Sequence, residues 1–336
     1  MHRILEGAAS STDLRCLFFD RDGERCRRDS IQSHSLQRMG PLHSIARDSH
    51  VIAIGSGLRA LPVEAREVFR RLGLRKASVF QGFCGEHDSS LFDGIETPRF
   101  ILDESTALLF SIRSIAMETR KKQHLVQIQK NTRRILGVRL TTEKLKINQL
   151  IERGAESAVE ANLKVLRGLF TQLRKGPLRN FHCLMIEFDG KLPFAATGAF
   201  EPEWNLEKQF LYGKDPLKTG WNTVSWFSGN IGGRGLACIS ANQKYADHRV
   251  DKFIENIRVS KEPLASIIFA LSVIHIENVF LAPDWLESLA SSERKKIEVM
   301  SRSGVFEGIR DPQTLDLRIE SDLFKISGKA VSVRLK

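Results

Sequence analysis

Gly82-Phe83-Cys84-Gly85-Glu86-His87-Asp88 is the stretch on which the reading of this chain turns. Cys84 and His87 are soft ligands with two residues between them, a spacing that lets one turn of backbone bring both to a single ion. Gly82 and Gly85 permit the tight backbone such a turn needs. Working outward, Cys16 and Cys26 lie upstream, so the N-terminal third offers four ligands, and Cys3His is a common tetrahedral zinc set. The wide gap between Cys16 and Cys26 holds Asp20-Arg21-Asp22-Gly23-Glu24-Arg25, which reads as an enlarged polar loop. Strand texture before the ligands and a helix after them predict a treble clef whose Zn2+ contributes folding free energy directly.

Composition limits the rest. The 336 residues suffice for two or three domains, and shares of 42% apolar and 27% charged are ordinary for a globular chain. Five cysteines, odd in number and widely spread, do not make a disulfide framework and fit metal-bound thiolates in a reducing cytosol. Cys183 and Cys238 sit in apolar runs and read as packed core thiols. Residues 1–12 lack the apolar core of a signal peptide, and the apolar run 264–276 is too short to span a bilayer. A cytoplasmic protein with no membrane partner is expected. Net charge is +11, from 51 Lys+Arg against 40 Asp+Glu. That excess favours a polyanionic partner, DNA or RNA, bound with counterion release.

The expected fold class is α+β in three consecutive domains. Residues 12–102 form the zinc module, with a strand at 14–19 and helices at 31–47 and 63–72. Residues 103–178 are helical and carry 15 Lys/Arg against 7 Asp/Glu, which is most of the chain's net charge. Arg120, Lys121, Lys122, Lys130, Arg133 and Arg134 make a basic stripe there. It reads either as a track for the phosphate backbone or as the solvated face of a helix pair. Residues 179–336 form an antiparallel sheet with helices. FHCLMIEF at 181–188 is a strand, Asp189-Gly190 a turn, 192–200 its partner, and 222–227 with 235–239 a further pair around a glycine-rich hairpin loop. Helices follow at 247–257, 264–276 and 283–300. This last domain is the expected seat of self-association or of a partner protein.

The order Cys16, Cys26, Ser33-His34-Ser35, then Cys84-x2-His87-Asp88 resembles the zinc-bearing branch of the HNH, or ββα-metal, endonucleases, and is similar to bacterial proteins sharing this zinc module. The resemblance covers residues 12 to about 100. It implies that His34 is the general base that activates water, and that Asp88 is a ligand of a catalytic Mg2+ or Mn2+. It also implies phosphodiester hydrolysis, in a bacterial defence setting. Neutral imidazole suits proton removal near neutral pH, and a hard divalent ion prefers oxygen ligands. The family carries an acid before that histidine, where this chain has Ser33. Its intermediate asparagine has no counterpart, since residues 1–130 contain no Asn, and His50 is the candidate for that place. The alternative reading is a non-catalytic, zinc-stabilised nucleic-acid-binding or scaffold protein.

Other signals are weaker. Gly213 to Thr219 lacks the glycine a P-loop needs before its lysine. Trp221, Trp226 and Phe227 read as packing before base stacking. His275-Ile276-Glu277-Asn278 reads as hydrogen bonding within the core.

Overall fold

The structure, a computed structural model, describes residues 13–55, 68–96, 101–137, 140–175, 181–207, 209–211, 223–242, 248–303 and 326–334. In chain order the elements are strands β1 (Gln32–His34), β2 (His50–Ile54), β3 (Phe69–Gly73) and β4 (Val79–Gln81), then helices α1 (Gly85–Glu96), α2 (Glu104–Leu136) and α3 (Thr142–Lys175). Strands β5 (Phe181–Phe188), β6 (Phe194–Phe200), β7 (Val224–Ile231) and β8 (Arg234–Asn242) follow. Helices α4 (His248–Val259) and α5 (Leu264–His275), strand β9 (Val279–Leu281), helices α6 (Pro283–Ser288) and α7 (Ser291–Ser303) and strand β10 (Gly328–Arg334) complete them. The protein is thus α+β, with two long helices and an eight-stranded sheet.

It divides into two compact units, each drawn from separated stretches. One takes Met1–Ser33, Phe80–Leu91 and Ile115–Gly176; the other takes His34–Val79, Phe92–Ser114 and Pro177–Lys336. This division runs across the three consecutive domains expected at 12–102, 103–178 and 179–336. The second part of α2 and the whole of α3 fold with the N-terminal ligands because their side chains, Arg120 and Phe170 above all, reach Asp13 and Phe18 beside Cys16.

In the first unit, residues 14–19 and 25–30 run antiparallel, bridged at Arg15↔Asp29 and Phe19↔Arg25. Gly23, at φ +79°, and the Asp20 carboxylate, which accepts from the amides of Asp22 and Glu24, close the loop between them. Helix α3 buries Asn148, Glu152, Ala155, Asn162, Leu166 and Leu169, an i, i+4, i+7 face of the kind a packed helix presents. It runs antiparallel to the second part of α2, where Arg133 donates to Asn148 (2.8 Å) and to Glu152. Phe170 gathers Phe18 and Phe83 at ring separations of 5.0 and 6.4 Å, both edge-on.

The second unit is built on one antiparallel sheet in the order β10-β5-β8-β7-β6-β9-β2-β3. One face joins a core with α4 and α5, containing Trp226, Ile239, Phe253 and Phe269. Helix α5 is buried from Ala265 to Ile274, as a helix apolar on nearly every side must be. The residues that alternate with that face, Thr197, Phe227 and Ser240, meet the first part of α2 through Ser114, Phe110 and Ser111.

Several local expectations give way. Residues 31–47 are not one helix: β1 occupies the start, and two short helical turns, Arg38–Leu42 and His43–Ile45, break at Gly40. Pro41 supplies the cause, since it lacks an amide proton and pushes the residue before it out of the helical region. The helix at 63–72 lies outside the described residues except for its end, which belongs to β3; pairing with β2 overrides local propensity. Strand β6 does not pair with β5. The Asp189-Gly190 segment crosses the end of the β7–β8 hairpin, where Gly190 accepts from the Gly235 amide and Leu192 donates to Asn230, and enters the sheet on the far side of β8 and β7. Residues 283–300 fall into α6 and α7, separated at Leu289, whose ψ of 143° is extended. The 213–219 segment and Trp221 lie outside the described residues.

Candidate metal centre

Cys16, Cys26, Cys84 and His87 come together with one ligand atom from each, all within 4.8 Å of one another. The Cys16 and Cys84 sulfurs lie 3.5 and 3.3 Å from His87 Nδ1. A tetrahedron with Zn–S near 2.3 Å and Zn–N near 2.0–2.1 Å has S···N edges of roughly 3.6 Å. Three sulfurs and one imidazole nitrogen at these separations fit Zn2+, and four protein ligands make a closed, structural set.

Local folding explains the wide upstream spacing. The two cysteines sit on the two arms of the 14–30 hairpin, where the Cys16 amide donates to Arg28 (2.7 Å) and the Cys26 amide to Phe18 (2.9 Å). Downstream, Cys84 precedes α1, and its carbonyl accepts from the Asp88 amide at 2.8 Å. His87 follows in the first turn, so both ligands share one face of the helix end. The positive end of α1 thereby lies beside sulfurs that must be thiolates to hold a metal. The Leu17 amide binds the Gly82 carbonyl (2.9 Å) and the Ile31 amide that of Phe83 (2.8 Å), which laces the hairpin to the turn. A Cβ on Gly82 would come within 2.3 Å of the Phe80 ring.

The surroundings are partly dry. Cys16 and Cys84 are buried, and Cys26 and His87 half-buried. Burial, reinforced by the neighbouring Cys84 and Cys26, pushes the Cys16 thiol up to about 12. Burial likewise lowers His87, which favours the neutral, ligating imidazole. Phe18 stacks on that imidazole with centroids 3.8 Å apart and planes 15° from parallel, which restricts the ring's rotation.

The other candidate residues are distributed as follows. Asp88 is in the first turn of α1, one position beyond His87, and His34 ends β1; the two fall in different units. The metal cluster contains neither. Ser33 is 3% exposed. His50 donates from Nδ1 to the Asp48 carbonyl (2.6 Å) and so braces the turn before β2. Cys183 and Cys238 are buried in the sheet, as expected, and burial raises the Cys238 thiol. Of the 275–278 cluster, Asn278 donates to Ser35 and Ser78.

The basic stripe resolves into pairs. Lys122 lies 3.3 Å and Lys121 4.0 Å from Glu118, and Lys130 lies 2.9 Å from Glu156. Arg133 is held by Glu152 and Asn148, while Arg134 is exposed. Arg120 is 6% exposed and serves backbone carbonyls, so in this arrangement it does not face a phosphate. Sequence reasoning missed this role and those of Arg25 and Phe18. The signal for Arg120 was present, since it follows Ala116 and Met117 by four and three residues and shares their inward face.

No helix among the described residues is long and apolar enough to cross a membrane. Comparison with protein-family models, with curated proteins and with solved structures finds no match to this chain.

Proposed function

We propose that the chain is a metal-dependent nuclease of HNH-like type, built on a treble-clef zinc centre that is purely structural. The observation that carries this reading is the closed Cys3His set, complete without His34 and Asp88. Had His34 been one of the four ligands, no general base would remain. The pairing of β1 with β4 as a two-stranded sheet, with α1 directly after β4, supports it further as a ββα arrangement in which β2 and β3 form a long insertion between the two strands.

In this reading zinc fixes the hairpin and the start of α1. His34 accepts a proton from the attacking water at an imidazole nitrogen, and Asp88 provides carboxylate oxygen to a hard divalent cation. That cation, when bound, stabilises charge on the phosphoryl and leaving oxygens. A second reading, a non-catalytic nucleic-acid-binding or scaffold protein, is favoured by one observation: a buried serine stands at position 33, in place of an exposed acid.

The test uses the whole protein with plasmid DNA and with RNA, in Mg2+ or Mn2+, beside His34→Ala and Asp88→Asn. Cutting by the wild type that both variants lose, with zinc content unchanged, is the expected result. Binding without cutting, equal in all three proteins, selects the second reading.

A further inference from the structure

The two halves of the metal centre meet a single guanidinium. Arg120, on α2, donates from Nε to the Gln81 carbonyl, from Nη1 to that of Asp13 and from Nη2 to that of Arg15. Its Nη1 also donates to Gln123 Oε1 at 2.8 Å, which steadies the fork from the same helix. Asp13 and Arg15 lie just before Cys16; Gln81 lies just before the Gly82–Cys84 turn. Arg25 extends the arrangement on the hairpin side, donating from Nε to the Cys16 carbonyl at 2.9 Å and from Nη2 to Arg15.

Geometry and charge point the same way. A planar fork with five donors can hold three carbonyls in fixed relation, which an ammonium cannot. Three thiolates around a divalent ion leave net negative charge, and a buried cation nearby offsets it. Groups that orient ligands in this way commonly change metal affinity when replaced.

We propose that Arg120 is a positioning residue of the metal centre. It sets the spacing between Cys16 and the Cys84–His87 turn, so that ion affinity depends on α2. The proposal rests on the reading of the Cys3His cluster as a zinc site.

The experiment measures Zn2+ affinity of the full chain by competition with a chromophoric chelator, and the absorption spectrum of the Co2+ form. Wild type, Arg120→Lys and Arg120→Gln are compared, with far-UV circular dichroism to select conditions where each is folded. Affinity should fall about 10–100-fold in Arg120→Gln and by less in Arg120→Lys, with altered Co2+ bands in both. Affinities within about threefold of wild type in both folded variants overturn the proposal. Should neither variant fold, amide exchange on the wild type before and after chelation decides. Protection lost at 115–124 together with 84–91 supports the coupling, and unchanged protection at 115–124 overturns it. A wild type that takes up neither ion removes the zinc reading itself, a result distinct from equal affinities.

Discussion

The sheet unit closes on large apolar side chains, Trp226, Phe253 and Phe269 among them, drawn from strands and helices that pack over one continuous core. The ligand-bearing unit has a smaller aromatic knot around Phe170 and relies on polar devices: four metal ligands, the carbonyl-gripping Arg25 and Arg120, and the Arg133–Glu152 pair between helices. The first kind of stability is spread over many contacts and tolerates loss of any one of them by degrees. The second is concentrated in a few groups whose partners stay buried when one is removed, so it fails abruptly.

The largest contrast should come from taking the ion away. Chelation, or Cys84→Ser, should bring bound zinc to zero by elemental analysis and abolish amide protection in 13–33 and 80–91. Protection in β5, β7 and β8 should persist. Structural zinc contributes on the order of 10 kcal/mol in small modules, more than a hairpin and one helix turn recover by themselves. Simultaneous melting of the sheet would refute the division of labour. The mirror experiment is Trp226→Ala, which empties a fully buried site and removes the indole N–H that donates to Ser272 at 2.9 Å. A cost of about 3–5 kcal/mol in denaturant unfolding of the sheet unit is expected, with zinc content unchanged.

Arg133→Ala is a sharper probe of the polar unit. It leaves Glu152 and Asn148, both on α3, without the donor they share from α2 and should cost about 1–3 kcal/mol, while Arg134→Ala should cost almost nothing. The smallest effect concerns acid. Burial pushes the Asp13 carboxyl up, but hydrogen bonds from Arg15 and the charge of Arg25 outweigh it and hold Asp13 well below its ordinary value of 3.8. A depressed carboxylate contributes stability above that ordinary value and loses it as pH falls toward the folded one. Asp13→Asn should therefore be less stable than wild type at neutral pH by under about 1 kcal/mol, given the exposure of the pair, and the difference should vanish in strong acid. A difference independent of pH would assign the effect to packing.

The comparison also explains what the sequence could reveal. Thiols and an imidazole carry their chemistry in their names, so all four ligands were legible, even across the wide Cys16–Cys26 spacing that a hairpin closes. The long helices and the strands of β5 to β8 were legible from periodicity and apolar runs. Arg120 was not, because an arginine beside two lysines looks solvated until its helix face is compared with Ala116 and Met117. The partner of β5 was not, because Asp-Gly marks a turn in either a hairpin or a crossover, and Gly235 and Asn230, distant in sequence, decide between them.

The interleaving of the two units has a consequence for synthesis. A ribosome releases Cys16 and Cys26 first, then the whole of His34–Val79, which belongs to the other unit, and only then Cys84 and His87. At roughly 5–20 residues per second, seconds elapse during which two thiols are on offer without the rest of their shell. During that interval a nascent chain is exposed to capture by a thiophilic ion that is content with two sulfurs, such as Cu(I), so the metal available at translation bears on which ion the finished protein carries.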